Sequence, residues 1–136
     1  MLRGPHTLFV AGYESPRSLR TGLRIGVENP AELTSPGRAL LALLPPDELP
    51  RLLGPDAVTP ELEQALAETR RQGYSLNIGN VEPDVTAIGA AVIDIHGRTR
   101  GALAVGGPTS RFPENNLPWV GQAVRKAAAD LGAELT

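Results

Sequence analysis

The side chains that could act as acids, bases or nucleophiles are few and scattered. Histidine occurs twice, as His6 near the start and as His96 at the tip of a predicted hairpin, and neither position suits a catalytic base. Serines are present, but the Gly-x-Ser-x-Gly turn that exposes the nucleophile of many hydrolases is missing. The segment 101–107 is rich in glycine, yet no Lys-Ser or Lys-Thr pair follows a Gly-x-x-x-x-Gly frame, so no phosphate-binding loop is predicted. We therefore predict a protein without catalytic residues.

Metal binding would require a cluster of histidine, cysteine or acidic ligands. Glu82 and Asp84, flanked by Asn80, form the one acidic cluster considered, and no histidine lies near them in the sequence. Metal binding there is a minor alternative, and the prediction is no metal and no cofactor. The chain has no cysteine, which excludes a disulfide framework, a thiolate zinc site and a cysteine nucleophile.

Length and charge favour a single domain over residues 1–136. There are 13 basic and 15 acidic side chains, a formal charge of −2, which argues against DNA or another polyanion as a direct partner. No apolar run has the length of a signal peptide or a membrane span, so we expect a cytoplasmic protein with no membrane partner.

Several segments have the composition of strands that could carry a binding site. The predicted strands are 7–11, 18–25, 74–78, 85–95 and 99–105. A turn at 14–17 separates the first two, and the last two form a hairpin across residues 96–97. Because both hairpin strands carry small apolar residues on both faces, we expect them in the middle of a covered sheet.

Four helical segments are predicted around these strands. The first is short, buried, capped by Thr34 or Ser35 and ended by the prolines at 45–46, and a further short piece is expected over 47–53. The third runs from Thr59 to a stop at Gly73, with a stripe of Leu62, Ala65, Leu66 and Thr69. The last has Pro118 in its first turn, and its predicted apolar face consists of Val120, Ala123, Val124, Ala127, Ala128, Leu131 and Leu135. The fold class is α+β, an antiparallel sheet with helices packed on it.

The order and spacing of several short motifs resemble one protein family. The motifs are Glu14-Ser15-Pro16, Gly26, Pro30, TSPGRALLA at 34–42, LAETRRQGY at 66–74, AIGAAV at 87–92, Gly97 and Ser110-Arg111-Phe112. No single motif is diagnostic, but in this order they resemble the C-terminal effector-binding domain of IclR-type bacterial transcriptional regulators. The resemblance implies a GAF/PAS-like fold, in which a curved antiparallel sheet and adjoining loops enclose a small-molecule pocket.

The resemblance also carries expectations about partners. The usual companion of this domain is an N-terminal winged helix-turn-helix, and no such module is apparent here, so DNA contact is expected through a domain absent from this chain. The family domain normally opens with a helix and a strand upstream of Leu8, so we expect a domain truncated on its N-terminal side. Effector domains of the family pair, and a homodimer or tetramer is therefore expected.

The resemblance places an effector site beside the start of the buried helix and on the central strands. The matching residues are Ser35, Pro36, Gly37, Asn77, Val85, Ala87, Ala104 and Gly106. Free amides at a helix N-terminus suit an anion, although Pro36 removes one donor. Family members that respond to glyoxylate or pyruvate carry an acid, a thiol and two hydroxyls where this chain has an amide, two alanines and a glycine. The expected effector is therefore bulkier and partly apolar, such as an aromatic acid.

Each of these residues also has a structural explanation. Helix capping accounts for Ser35, close packing for the glycines, loop anchoring for Asn77 and core packing for the alanines. Arg38 lies at the unfavourable end of a helix for a cation, and a solvated side chain is expected there.

Two functions are consistent with the sequence. The favoured one is a ligand-sensing regulatory domain that alters the DNA affinity of a helix-turn-helix domain. The effector would bind one arrangement of the dimer or tetramer more tightly than another and so shift their populations. The alternative is a stand-alone GAF-like module that binds a small molecule or a protein and has no role at DNA.

Overall fold

The predicted mixture of strands and helices is present in the computed structural model, which describes residues 1–8, Ala11 and 26–136. The strands are β1 (Leu2–Arg3), β2 (His6–Leu8), β3 (Glu28–Pro30), β4 (Ser75–Ile78), β5 (Val85–Ile93) and β6 (Thr99–Pro108). The α-helices are α1 (Ser35–Leu41), α2 (Glu48–Leu53), α3 (Pro60–Gln72) and α4 (Leu117–Ala133). The α+β class is confirmed, whereas the predicted strand 18–25 and the turn 14–17 lie outside the described residues.

The described strands form two antiparallel sheets of three strands each. The smaller has the order β1-β2-β3 and the larger the order β4-β5-β6, with β5 in the centre. In the larger sheet Ala87 of β5 lies opposite Asn77 of β4 and Gly106 of β6. A register shift opposite Val92 and Ile93 leaves Arg100 of β6 as an extra residue, so β6 carries a bulge near the hairpin turn.

The expectation that both hairpin strands lie in the middle of the sheet is wrong for β6. Among the described strands β6 has a neighbour on one side, and residues 104–106 are exposed. Alanine and glycine occur at covered and at open positions alike, because they have little apolar surface to bury. The composition of β6 therefore could not distinguish an edge from a centre.

The larger sheet separates two hydrophobic clusters. On one face Ile88, Ala90 and Val92 of β5 pack against α4, in a cluster completed by Tyr74, Leu117, Val124 and Ala128. The second cluster joins α1, α2 and α3 and consists of Ala31, Leu41, Ala42, Leu49, Leu62 and Leu66. Alternate β5 residues, Gly89 among them, point to the opposite face of the sheet, towards the start of α1.

The face that α4 turns to the sheet agrees in part with the predicted one, because Val124 and Ala128 are buried and Val120 and Leu135 pack against the same cluster. The buried residues of α4 are Leu117, Gly121, Val124, Ala128 and Gly132, whereas Ala123, Ala127 and Leu131 are exposed. A methyl group added at Gly121 would come within 2.3 Å of the Tyr74 ring, and one at Gly132 within 2.0 Å of the Ile93 carbonyl oxygen. The glycines thus let α4 approach the sheet closely, and a pattern based on side-chain hydrophobicity overlooks them.

The predicted starts of α1 and α3 and the end of α3 are confirmed, whereas α1 ends at Leu41, before the prolines at 45–46, because the amides of Leu43 and Leu44 donate to carbonyls three residues back in a tighter turn. The Gly37 amide donates to Thr34 Oγ1 at 2.9 Å and the Leu62 amide donates to Thr59 Oγ1 at 3.2 Å, so a threonine caps each helix. Gly73 ends α3 with φ of +85°, a conformation that favours glycine. In the described part of the chain no helix combines the length and the apolar character needed to cross a membrane.

Candidate functional site

One face of the larger sheet gathers most of the predicted site residues. The register places Asn77, Ala87 and Gly106 side by side, and Ser75, Gly89 and Ala104 form the next row. A methyl group added at Gly89 would lie 2.8 Å from the Ser35 carbonyl oxygen, so the first turn of α1 rests directly on this face. Ser35, Asn77, Val85, Ala87, Ala104 and Gly106 are therefore brought to one region, which we term the α1 face.

The α1 face is packed at one end and open at the other. Asn77 is buried, Val85 and Ala87 are half-buried, and Ala104 and Gly106 are exposed. A methyl group added at Gly106 would meet no atom of the described residues closer than 3.7 Å, in contrast to Gly89. The open end thus offers an apolar platform of small side chains on which a ligand has room to lie.

Ser35 carries an unsatisfied polar atom at the packed end. Ser35 is fully buried, and its hydroxyl oxygen has no hydrogen-bond partner in the described part of the chain. Its backbone carbonyl is satisfied, because Ser75 Oγ donates to it. A buried polar group without a partner costs about 1–3 kcal/mol, so it needs an explanation.

The first turn of α1 has few amides left for an anion, contrary to expectation. Pro36 has no amide hydrogen, the Gly37 amide donates to Thr34 Oγ1, and the Arg38 amide donates to the Thr34 carbonyl at 3.0 Å. Gly37 has a packing role, since an added methyl group would lie 2.2 Å from the Ala31 carbonyl oxygen. The structural explanation thus accounts for Gly37, and capping belongs to Thr34 and not to Ser35.

Asn77 anchors the loop that follows β4. Its Nδ2 donates to the Leu33 carbonyl at 2.6 Å, and its Oδ1 accepts from the Asn80 amide at 3.0 Å. Both ends of the side-chain amide are used within the protein. The structural explanation therefore accounts for its position, and its role in ligand binding would be to shape the site.

Arg38, for which we expected a solvated side chain, is half-buried. Its Nε donates to the Glu32 carbonyl at 2.7 Å, and burial lowers the pKa of its guanidinium while the charge of Glu32 raises it. With the Asn80 amide turned to accept, Asn80 Oδ1 lies 3.2 Å from both terminal nitrogens of Arg38. A half-buried cation thus borders the α1 face. Because α1 ends at Leu41, Arg38 lies in the last turn of this short helix, where a cation is favourable, and the expectation of an unfavourable position was wrong.

The remaining polar candidates have structural roles. The buried carboxylate of Asp94 accepts from the amides of His96 and Arg98 at 2.9 Å each, and the Arg98 and Arg100 guanidiniums approach it at 3.2 and 3.4 Å. These hydrogen bonds, that of the Arg98 amide foremost, lower the pKa of Asp94 to about 2. No group of three metal-ligating side chains, Glu82 and Asp84 included, occurs among the described residues.

Comparison with known proteins identifies relatives along nearly the whole chain. The family model described as bacterial transcriptional regulator IclR C-terminal matches residues 1–133. The HTH-type transcriptional regulator BhcR of Paracoccus denitrificans is 28% identical over 141 residues, which cover 96% of this chain and 50% of that protein. The transcriptional repressor IclR of Escherichia coli is 28% identical over 123 residues, 83% of this chain and 45% of that protein.

A solved structure supports the same relationship. The Agobacterium tumefaciens repressor BlcR matches with a TM-score of 0.76 at 31% identity, over 81% of this chain and 49% of that chain. The chain thus spans about half the length of these relatives. These relatives are named as transcriptional regulators or repressors, the class of protein that the sequence favours. This chain belongs to the family of C-terminal domains of IclR-type bacterial transcriptional regulators.

Proposed function

We propose that this domain senses a small, partly apolar organic carboxylate on the α1 face and thereby modulates DNA binding by a helix-turn-helix domain outside these 136 residues. The observation that carries the proposal is the buried, unpartnered hydroxyl of Ser35 beside an open platform formed by Ala87, Ala104 and Gly106. As a cytoplasmic regulator the protein would meet metabolites directly. The name of the relative BhcR, an HTH-type regulator, supports the assignment of DNA contact to a separate domain.

The composition of the α1 face supports an effector with apolar bulk. Methyl groups and a glycine offer dispersion contacts but no hydrogen bonds, so a small and highly polar acid would lose more hydration than it regains. Arg38 is the cation that could meet the carboxylate at the border of the face, because its guanidinium is already partly desolvated. An aromatic acid meets both requirements, because it has apolar bulk for the face and a carboxylate for Arg38.

The contacts of the first turn of α1 suggest a route for the signal. Thr34 Oγ1, which caps this turn, lies 3.0 Å from Thr7 Oγ1 in β2, and the Ala31 amide donates to the Pro5 carbonyl at 3.0 Å. A ligand that moves Ser35 would therefore move the capping residue and the small sheet near the N-terminus. An effector that binds one arrangement of these contacts more tightly would shift their population.

Calorimetric titration of benzoate and glyoxylate tests the effector class. We expect benzoate to bind at least about tenfold more tightly than glyoxylate. Gly106→Val should abolish benzoate binding because it fills the platform, whereas Val105→Thr, on the opposite face of the same strand, should leave binding unchanged. Tight glyoxylate binding with no response to aromatic acids would overturn the proposed class.

Self-association is the second part of the proposal. Trp119 of α4 is 75% exposed, and the exposed Ala123, Ala127 and Leu131 follow it at intervals of four residues along the same helix. An exposed tryptophan in a row of exposed apolar side chains is typical of interfaces between subunits. We expect light scattering to give an oligomer for the unmodified chain and a monomer for Trp119→Arg, and a monomeric unmodified chain would contradict this part.

A further inference from the structure

A second concave region lies away from the α1 face, between the C-terminal ends of α3 and α4. This groove has a volume of about 510 Å³, and its walls come from α1, α3, β5 and α4. It shares no residue with the predicted effector site. We term it the arginine groove, after Arg70 and Arg125, which line it together with alanines such as Ala42, Ala90 and Ala129.

The arginine groove exists because β5 is longer than its neighbour β4. The pairing of the two strands begins with Ser75 opposite Gly89, so residues 90–93 of β5 have no strand partner on that side within the described sheet. The glycine turn at Gly73 and the close approach of α4 at Gly132 form the flanking walls. Alanines cover most of the floor, and their small volume leaves the space open.

The charges in the arginine groove are unbalanced. Arg70 is held by a hydrogen bond from its Nε to the Ala42 carbonyl at 2.8 Å, and Arg125 lies across Gly73, where an added methyl group would come within 2.7 Å of its Nε. In the described part of the chain neither guanidinium contacts a carboxylate. The carboxylate of Asp94, which also lines the groove, is already engaged by Arg98, Arg100 and two backbone amides.

We propose that the arginine groove binds a small organic anion with an aliphatic chain, its carboxylate at Arg70 and Arg125 and its chain along the alanines. Charge complementarity decides the class of ligand, because Arg70 and Arg125 contact no carboxylate of the described residues and the one carboxylate lining the groove, Asp94, is engaged elsewhere. An uncharged apolar ligand would leave both guanidiniums unpaired. The site would allow a second metabolite to act on the domain independently of the effector.

Titration of the 136-residue chain with octanoate, followed by NMR, tests the charge requirement. We expect octanoate to shift resonances of the groove and octan-1-ol, of the same length but uncharged, to bind at least about tenfold more weakly. Arg70→Ala and Arg125→Ala should each weaken octanoate binding by a similar factor. Arg71→Ala is the matched control, because Arg71 follows Arg70 on α3, pairs with Glu68 and does not line the groove. Equal affinities in all three variants would overturn the proposal.

A reciprocal pair of blocking variants separates this groove from the α1 face. Ala129 is exposed on α4 and lines the groove, so Ala129→Phe should fold normally and abolish octanoate binding while leaving benzoate binding intact. Gly106→Val should do the reverse. Loss of octanoate binding in Gly106→Val but not in Ala129→Phe would place octanoate on the α1 face and overturn the groove proposal. Failure of benzoate to bind, with octanoate behaving as expected, would contradict the proposed effector class alone.

Discussion

The two faces of the larger sheet are built from the same strands and differ in how they are covered. On the α4 face, Ile88, Ala90 and Val92 are buried at 0–3% exposure beneath a complete cluster. On the α1 face, Gly89 touches the first turn of α1, while Ala104 and Gly106 of the neighbouring strand remain exposed. One face therefore consolidates the fold, whereas the other combines a firm end with an open one, as a site for a ligand requires.

Removal of a buried side chain from the α4 face should have the largest effect. Ile88 is fully buried, so Ile88→Ala should lower the free energy of unfolding by about 2–5 kcal/mol. Ala104→Ser on the open end of the other face should change it by less than about 0.5 kcal/mol. Urea titrations would measure both variants, and similar losses would show that the two faces are equally packed.

Two glycines of the α1 face should distinguish its packed end from its open end. Gly89→Ala would press a methyl group against the backbone of Ser35, and we expect a loss of about 1–3 kcal/mol. Gly106→Ala meets no described atom closer than 3.7 Å and should cost less than about 0.5 kcal/mol. Thermal melting of both variants is the measurement, and an unaffected Gly89→Ala would contradict the described contact.

Lowering the pH should destabilise both faces of the larger sheet, because Asp94 lies in the hairpin turn that joins β5 to β6. The folded-state pKa of Asp94 is about 2, below its ordinary value of 3.8, so its contribution to stability is fully present above 3.8 and is lost as the pH falls towards 2. Asp94→Asn should remove this dependence. Asp130→Asn, which affects an exposed pair with Lys126, should leave the profile in thermal melts nearly unchanged.

Apart from the control variants, Ser35→Ala should give the smallest effect on stability, and one of opposite sign. Ser35→Ala removes a buried hydroxyl without a partner, so the ligand-free domain should be stabilised by up to about 1 kcal/mol. The same variant should weaken benzoate binding if the effector supplies the missing partner. Chemical unfolding with and without benzoate measures both quantities, and a large loss of stability in the free domain would reveal a hydrogen bond within the protein.

Local chemistry made much of this domain predictable. Thr34, Thr59 and Gly73 mark helix boundaries through hydrogen bonds to residues close in sequence, and the hairpin follows from two apolar runs around a glycine turn. The site was harder, because its definition depends on distant contacts. The partner of Asn77 is 44 residues away, and neither this contact nor the close approach of α4 at Gly132 leaves a sequence pattern.

β6 is an edge strand of the larger sheet among the described strands, and this affects how the domain behaves in concentrated solution. Within the described strands, its outer backbone groups offer a template that any extended peptide could match, and such templates promote aggregation. Arg100 lies near the start of β6 and Pro108 at its end. Charged residues and proline are the types with which proteins commonly protect edge strands. The centre of this strand, residues 102–106, carries no charge and is, among the described strands, the segment least protected against such pairing.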